Sequence, residues 1–411
     1  MLSFSSFKTT VKCAAYILAL CLYLVISREA YSQNYQIKQL DFYGDEVTLT
    51  LDSSLSVPFD KLLDQTTVKD FLQKINASNY QPVVNALLNY KKEHKPDDWL
   101  YYQLIRKTAQ HLSPKAENYI RYTLYKWFLL TKSGYDAFLC TAGEQILFYV
   151  QSDENIYNIP FRLKNGKQYV CLNYHDYGNI DFEKTVFSEI DIKIPQAKNS
   201  FSYKLTRLPD FKENDYSSKE LLFTYNDVKY RFNIKLNKEV KNIFTNYPVV
   251  DYANYFNAPL SKETYSTLIP ALKKNIRGMS TRNGVDYLMN FTRYALSFEA
   301  DAAHFGQEKR LTPEQTLLYE KSDCEDRAAL FFYLVKEIYD LPMILLVYPN
   351  HVTTAIRFNK PIGKTILYNG HRYSVCEPTP QKENLLVGQL LPELHNVSYE
   401  VGFAYFPQYL N

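Results

Sequence analysis

Three side chains towards the C-terminal end have the types that nucleophilic catalysis at a carbonyl needs: Cys324, His351 and Glu377. A thiolate attacks, an imidazole carries the proton, and a carboxylate fixes the tautomer of that imidazole. Around the cysteine the chain reads Lys321-Ser322-Asp323-Cys324-Glu325-Asp326-Arg327-Ala328, then continues into an apolar stripe of Ala328, Phe331, Phe332, Val335 and Ile338. The stripe predicts a helix from Ser322 to Tyr339, with Ser322 as N-cap, Glu325 completing a capping box, and Leu341-Pro342 ending it. Cys324 then lies in the first turn. Free N–H groups and the positive end of the helix dipole there favour a thiolate, and the cysteine's own N–H is available to an oxyanion. The charges of Asp323, Glu325 and Asp326 oppose the thiolate. A lone cysteine is otherwise a small buried hydrophobe.

The base and the acid need strands to carry them. Ile344–Tyr348 reads as one strand, and Pro349-Asn350-His351 leads into a second, Val352–Phe358, with His351 at its mouth. Asn369-Gly370 has the signature of a type I′ turn between Thr365–Tyr368 and His371–Glu377. Alternation puts Tyr373, Val375 and Glu377 on one face of that last strand and Cys376 on the other. His371 is the rival base, although its place after a turn glycine suits simple exposure. Taken singly, His351 and Glu377 are ordinary strand residues. Together with Cys324 they have the chain order of a thiol triad.

Asp323-Cys324-Glu325-Asp326-Arg327-Ala328, Tyr348-Pro349-Asn350-His351-Val352 and Val375-Cys376-Glu377-Pro378-Thr379 together resemble the transglutaminase-like superfamily, notably its bacterial secreted members. The resemblance covers about residues 285–390. It implies a papain-like core, a helix carrying the cysteine packed on an antiparallel sheet, and a Cys-His-Asp triad. Carried over, Cys324 is the nucleophile, His351 the base and Glu377 the acid; the family's usual Asp is Glu here, one methylene longer. Phe305-Gly306-Gln307-Glu308-Lys309 resembles the place where members supply a second oxyanion donor, which makes Gln307 the candidate. The implied activity is hydrolysis of an amide or peptide bond in a protein or peptide substrate. Two alternatives stand beside it: acyl transfer from protein glutamine, and an inactive fold kept as a binding scaffold.

Upstream, the elements that must support this constellation form an α+β arrangement. Residues 33–132 read as mainly helical, with a strand-like opening at Gln36–Leu51 and helical spacing from Thr66 to about Leu130. Asp64 or Thr66 caps the first helix and Pro96 interrupts the run. Residues 133–245 read as a β-rich module, in which short Tyr/Phe/Ile/Val runs alternate with turn clusters such as Lys164-Asn165-Gly166 and Tyr225-Asn226-Asp227. Residues 246–411 complete the chain with the thiol domain. Hydrophobic residues at 46% and charged residues at 22% make the chain globular rather than disordered. The 37 tyrosines suit strands and half-wet surfaces.

Lys8 and Lys12, the apolar run Cys13–Ser27 and Ala30-Tyr31-Ser32 match a secretory signal over residues 1–32, and the run is shorter than the roughly 20 residues of a membrane span. The expected location is therefore exported, periplasmic or secreted, with no stable membrane insertion after cleavage; a signal anchor is the other reading. The formal charge of +3 falls to +1 on removing Lys8, Lys12, Arg28 and Glu29. With no basic block elsewhere, nucleic acid is an unsuitable partner. Four later cysteines, Cys140, Cys171, Cys324 and Cys376, are too few for a disulfide scaffold. No zinc motif or EF-hand spacing accompanies the histidines or the acidic residues beside Cys324, so no metal or other cofactor is expected. N-terminal sequencing or intact-mass measurement of the exported chain checks the leader: the first residue should be at or near Gln33.

Overall fold

The computed structural model describes residues 35–60, 62–178, 180–182, 184–192, 194–298, 309–319 and 321–407. The expected leader, residues 1–32, and the oxyanion candidate Gln307 lie outside the described residues. Within them the chain is mixed α+β, with ten α-helices and predominantly antiparallel sheets.

The opening strand-like stretch is a hairpin, β1 (Tyr35–Phe42) and β2 (Asp45–Asp52), because Tyr43 and Gly44 take positive φ of 53° and 109° and reverse the chain. Four helices follow: α1 (Gln65–Ala77), α2 (Gln81–His94), α3 (Asp98–Leu112) and α4 (Tyr119–Lys132). Asp64 caps α1 in a reciprocal box with Thr67, and Pro96 falls in the break between α2 and α3. Trp99, Tyr102, Trp127 and Phe128 are buried among these helices, which is why so many aromatic residues occur in this half.

Gly134, at φ +98°, turns the chain out of α4 into a five-stranded antiparallel sheet. Its strands are β3 (Ala137–Ala142), β4 (Gln145–Gln151), β5 (Phe161–Lys164), β6 (Lys167–Cys171) and β7 (Ser188–Glu189), in the order β5-β6-β4-β3-β7. The long hairpin β8 (Tyr216–Tyr225) and β9 (Val228–Asn237) is a separate two-stranded sheet. After the short helices α5 (Glu239–Ile243) and α6 (Tyr252–Phe256), this hairpin packs on α7 (Lys262–Asn275) and α8 (Thr281–Tyr294). Phe223 meets Tyr287 edge-on at 5.1 Å and Phe232 meets Phe291 at 5.3 Å between ring centres.

The C-terminal elements begin with β10 (Ser297–Phe298), α9 (Pro313–Leu318) and β11 (Lys321–Ser322), β10 and β11 forming a short parallel pair. Helix α10 (Cys324–Tyr339) follows, with β12 (Met343–Tyr348), β13 (His351–Ile356), β14 (Thr365–Tyr368), β15 (His371–Cys376) and β16 (Glu400–Tyr405). The sheet order is β14-β15-β13-β12-β16, antiparallel throughout. Met343, Leu345, Val352, Ile356 and Cys376 join the core beneath α10. Ile344, Leu346, Ala355, Tyr373 and Val375 face the opposite side, against Leu385, Leu390, Leu391 and Leu394. Burial on both faces accounts for the unbroken apolar run of β12. The alternation expected for Tyr373, Val375 and Cys376 holds. Asn369 and Gly370 at φ 46° and 76° make the expected hairpin turn, whereas β16 carried no sequence signal strong enough to anticipate it.

A strap beyond β15 depends on two glycines. Lys364 N–H donates to the Gly388 carbonyl at 2.6 Å, and Gly388 N–H donates to Val375 O at 2.8 Å. Gly363 and Gly388 have positive φ (55° and 88°), and a Cβ on either would lie 2.3–2.5 Å from the other segment's carbonyl oxygen. Gly388→Ala should therefore lower stability by roughly 2 kcal/mol or more, readable as a reduced denaturant midpoint with an unchanged slope. A midpoint equal to wild type would refute the close approach.

Candidate active site

Cys324 is the first residue of α10, at its N-terminal tip and partly buried. The cap itself sits one residue later than the sequence indicated: Asp323, not Ser322, is the N-cap, and its partner is Asp326 rather than Glu325. Asp323 Oδ1 accepts from Asp326 N–H at 3.1 Å, and Asp326 Oδ2 accepts from Asp323 N–H at 3.2 Å. The physical reason is β11, which holds Ser322 in extended backbone paired with Phe298 and so postpones the first helical turn.

The acidic collar around the thiol is fully engaged in structure. Asp326 is buried, and its Oδ1 also accepts from Leu311 N–H at 2.8 Å, tying the incoming loop to the helix tip. Glu325 accepts from Tyr252 OH at 3.0 Å and from Arg310 Nε at 2.9 Å. Arg310 stacks over the Tyr252 ring at 4.0 Å and donates to Val250 O at 3.0 Å. Among the described residues no cluster of three or more His, Cys, Asp or Glu side chains is placed to hold a metal ion.

The other two sequence-chosen residues meet directly. His351 opens β13, and its Nε2 lies 2.8 Å from Glu377 Oε2. Glu377 follows the last residue of β15, is fully buried, and accepts from Thr379 N–H at 2.9 Å through Oε1. Nε2 is thus the ring nitrogen engaged by the carboxylate, and Nδ1 is the one that Glu377 does not contact. His371 is exposed at the hairpin and makes no such contact.

Cys324 approaches this pair from α10. Strand β15 pairs with β13 only over Thr354–Ile356, so the edge of β13 near its start is open. The Val352 N–H, next to His351, donates to the Cys324 sulfur there, and the Glu377 charge is felt at the thiol. Among the described residues no hydrogen bond joins the Cys324 thiol to the His351 imidazole. Burial, then Asp323, Glu325 and Glu377, push the thiol up to about 12, against the lowering effect of the Val352 N–H. The resting group at neutral pH is the thiol, not the thiolate that the helix dipole alone would favour.

Several residues that position the site escaped the sequence reading. Buried Arg327 donates to the carbonyls of Thr292, Arg293 and Leu296 (2.7, 3.0 and 3.1 Å) at the C-terminal end of α8. Arg293 donates through Nε (2.7 Å) and the other guanidinium arm to the Glu377 carbonyl, and through NH1 to Asn384 Oδ1 and Leu385 O. Tyr252 lies close enough to Cys324 for the two charges to interact. Only Arg327, inside the quoted cysteine motif, stood where sequence could have singled it out.

Compared with family models, with curated proteins and with solved structures, the chain finds no match in any of the three. A cavity of about 640 Å³ shares Arg310 with the site, and neither Cys324 nor His351 lines it.

Because the thiol is protonated at rest, alkylation of Cys324 by iodoacetamide should accelerate about tenfold per pH unit from neutrality upwards. Peptide mapping by mass spectrometry after timed labelling reads the rate at this one residue. A plateau already reached at neutral pH would mean the thiolate is preformed.

Proposed function

We propose that the chain is an exported, transglutaminase-like thiol hydrolase with a papain-like core, acting on an amide or peptide bond of a protein or peptide. The observation that carries this reading is the 2.8 Å contact between His351 Nε2 and the buried Glu377 carboxylate, beside a cysteine at a helix start. In the reaction, Cys324 Sγ bonds to the carbonyl carbon while its proton passes to His351 Nδ1, and the carbonyl electron pair moves to oxygen. The Cys324 N–H, in the first turn of α10 where amides lack an intrahelical acceptor, donates to that oxygen. His351 then protonates the leaving nitrogen as the C–N bond breaks, and water hydrolyses the thioester. Water is the readiest acceptor in an exported setting, which favours hydrolysis over transfer to an amine.

One observation favours a second reading, a binding scaffold on the same fold: the thiol is held protonated by burial and by three carboxylates. Variants separate the two. Cys324→Ala should abolish amide cleavage, and Glu377→Gln should leave the circular-dichroism spectrum intact while lowering the rate on the order of 10²-fold through a mispositioned imidazole. Glu377→Asp, if the orienting role is correct, should retain more activity than Glu377→Gln. Unchanged activity in both Glu377→Gln and Glu377→Ala would remove the carboxylate from the mechanism. A wild-type chain that cleaves nothing over a broad peptide library would leave the scaffold.

A further inference from the structure

A second polar centre lies in the N-terminal half, away from the thiol. A cavity of about 590 Å³ is lined by Gln103, Arg106 and Lys107 of α3, by Lys115 and Tyr122, and by Asp41 of β1. Gln103 is 6% exposed; its Oε1 accepts from Arg106 at 2.9 Å, while its Nε2 donates to no protein atom. Lys107 reaches over the Tyr43 ring and donates to Asp41 O, a neutral partner, at 3.1 Å.

Behind the wall several basic groups gather around one carboxylate. One carboxylate, Asp176, serves Lys115 at 2.6 Å, Lys126 at 3.8 Å and the His175 ring at 3.3 Å, and it also accepts from Tyr119 OH at 2.9 Å. Arg106 bonds Tyr122 and adds its charge to the same group. Lys126 is 1% exposed, over the Tyr122 ring at 4.5 Å. Of these cations only Lys126 is fully buried, and a further anion nearby would favour its charged form. The cavity in front of it is lined by guanidinium, ammonium and amide side chains, and the Gln103 amide N–H in that lining has no protein partner.

We propose that this cavity binds a small anion carrying two or more negative charges, of phosphate or carboxylate chemistry. Arg106 supplies a planar fork for its oxygens, Gln103 Nε2 a neutral donor, and Lys107 and Lys115 the rim charge. Lys126 gives the site a second signature. Burial, then the charges of Arg106 and Lys115 opposed by Asp176, lower its amine to about 7, with Cys171 the remaining ionisable neighbour. An anion beside Arg106 draws a proton onto Lys126. The site stands independently of the thiol chemistry.

The test is calorimetric titration of the full chain with inorganic pyrophosphate and, separately, citrate, in two buffers of different ionisation heat. At a pH of about 8, where much of Lys126 is neutral in the free protein, binding should be one-to-one and accompanied by proton uptake. Lys107→Gln, at the rim and safe for folding, and Arg106→Gln should each weaken it at least about tenfold. Lys126→Met should keep binding but abolish the proton uptake. Pyrophosphate binding alone assigns phosphate chemistry, and citrate binding alone assigns carboxylate chemistry. No saturable binding of either probe at millimolar concentration, or binding that Lys107→Gln leaves undiminished, overturns the proposal.

Discussion

The candidate site depends on the C-terminal end of α8. A helix leaves its last carbonyls without intrahelical partners, and a cation there is favoured both as a donor and by the dipole. Arg327 fills that role from another helix, reaching back from the first turn of α10 to three carbonyls of the α8 terminus. In the same turn of α8, Arg293 points the other way and holds the Glu377 carbonyl and the loop at Asn384–Leu385. One helix end therefore locates both the helix that carries Cys324 and the backbone at Glu377. Both guanidiniums are buried, and burial lowers Arg327 to about 10. Lysine could not substitute: a point charge cannot bridge several carbonyls in a fixed plane.

Around Cys324 two electrostatic tendencies compete, and the structure decides between them. The helix start and the Val352 N–H favour a thiolate; burial and the carboxylates Asp323, Glu325 and Glu377 disfavour it and prevail. The carboxylates are nevertheless not free to swing away. Asp323 and Asp326 form the helix cap, and Glu325 is fixed by Arg310 and Tyr252. What stabilises the fold at this tip thus raises the thiol, and a reaction here must move the proton as the new bond forms instead of starting from a preformed ion pair.

How much of this was legible follows from where the information lies. The helix over 324–339, strands β12 to β15 and the pairing of His351 with Glu377 were readable, because periodicity, an Asn-Gly turn and the order of three short motifs are local features. The cap position was not: two acidic residues and a serine all suit a cap, and the choice was made by β11, a two-residue pairing with Phe298 set by tertiary structure. The destinations of Arg293 and Arg327 were equally hidden, since each satisfies backbone carbonyls and carbonyls leave no trace in a sequence. The opening of the β13 edge at Val352 is a fact of register, as is the role of β16 in closing the other side of the sheet.

Glu377 has a structural reading of its own. Strand β15 stops at Cys376, and Pro378 forces the chain out of the sheet, so Glu377 stands at the bend rather than within the ladder. From there its side chain satisfies two demands at once: Oε1 turns back to Thr379 N–H, two residues ahead, while Oε2 reaches the His351 ring. A carboxylate locked by its own turn has little rotational freedom. The backbone beneath it is fixed as well, since Arg293 holds the Glu377 carbonyl and the hydroxyls of Thr353 and Thr354 both donate to Cys376 O. The imidazole is thus held by a glutamate whose turn, carbonyl and preceding residue are each tied down, by Thr379, by Arg293 and by the hydroxyls of β13.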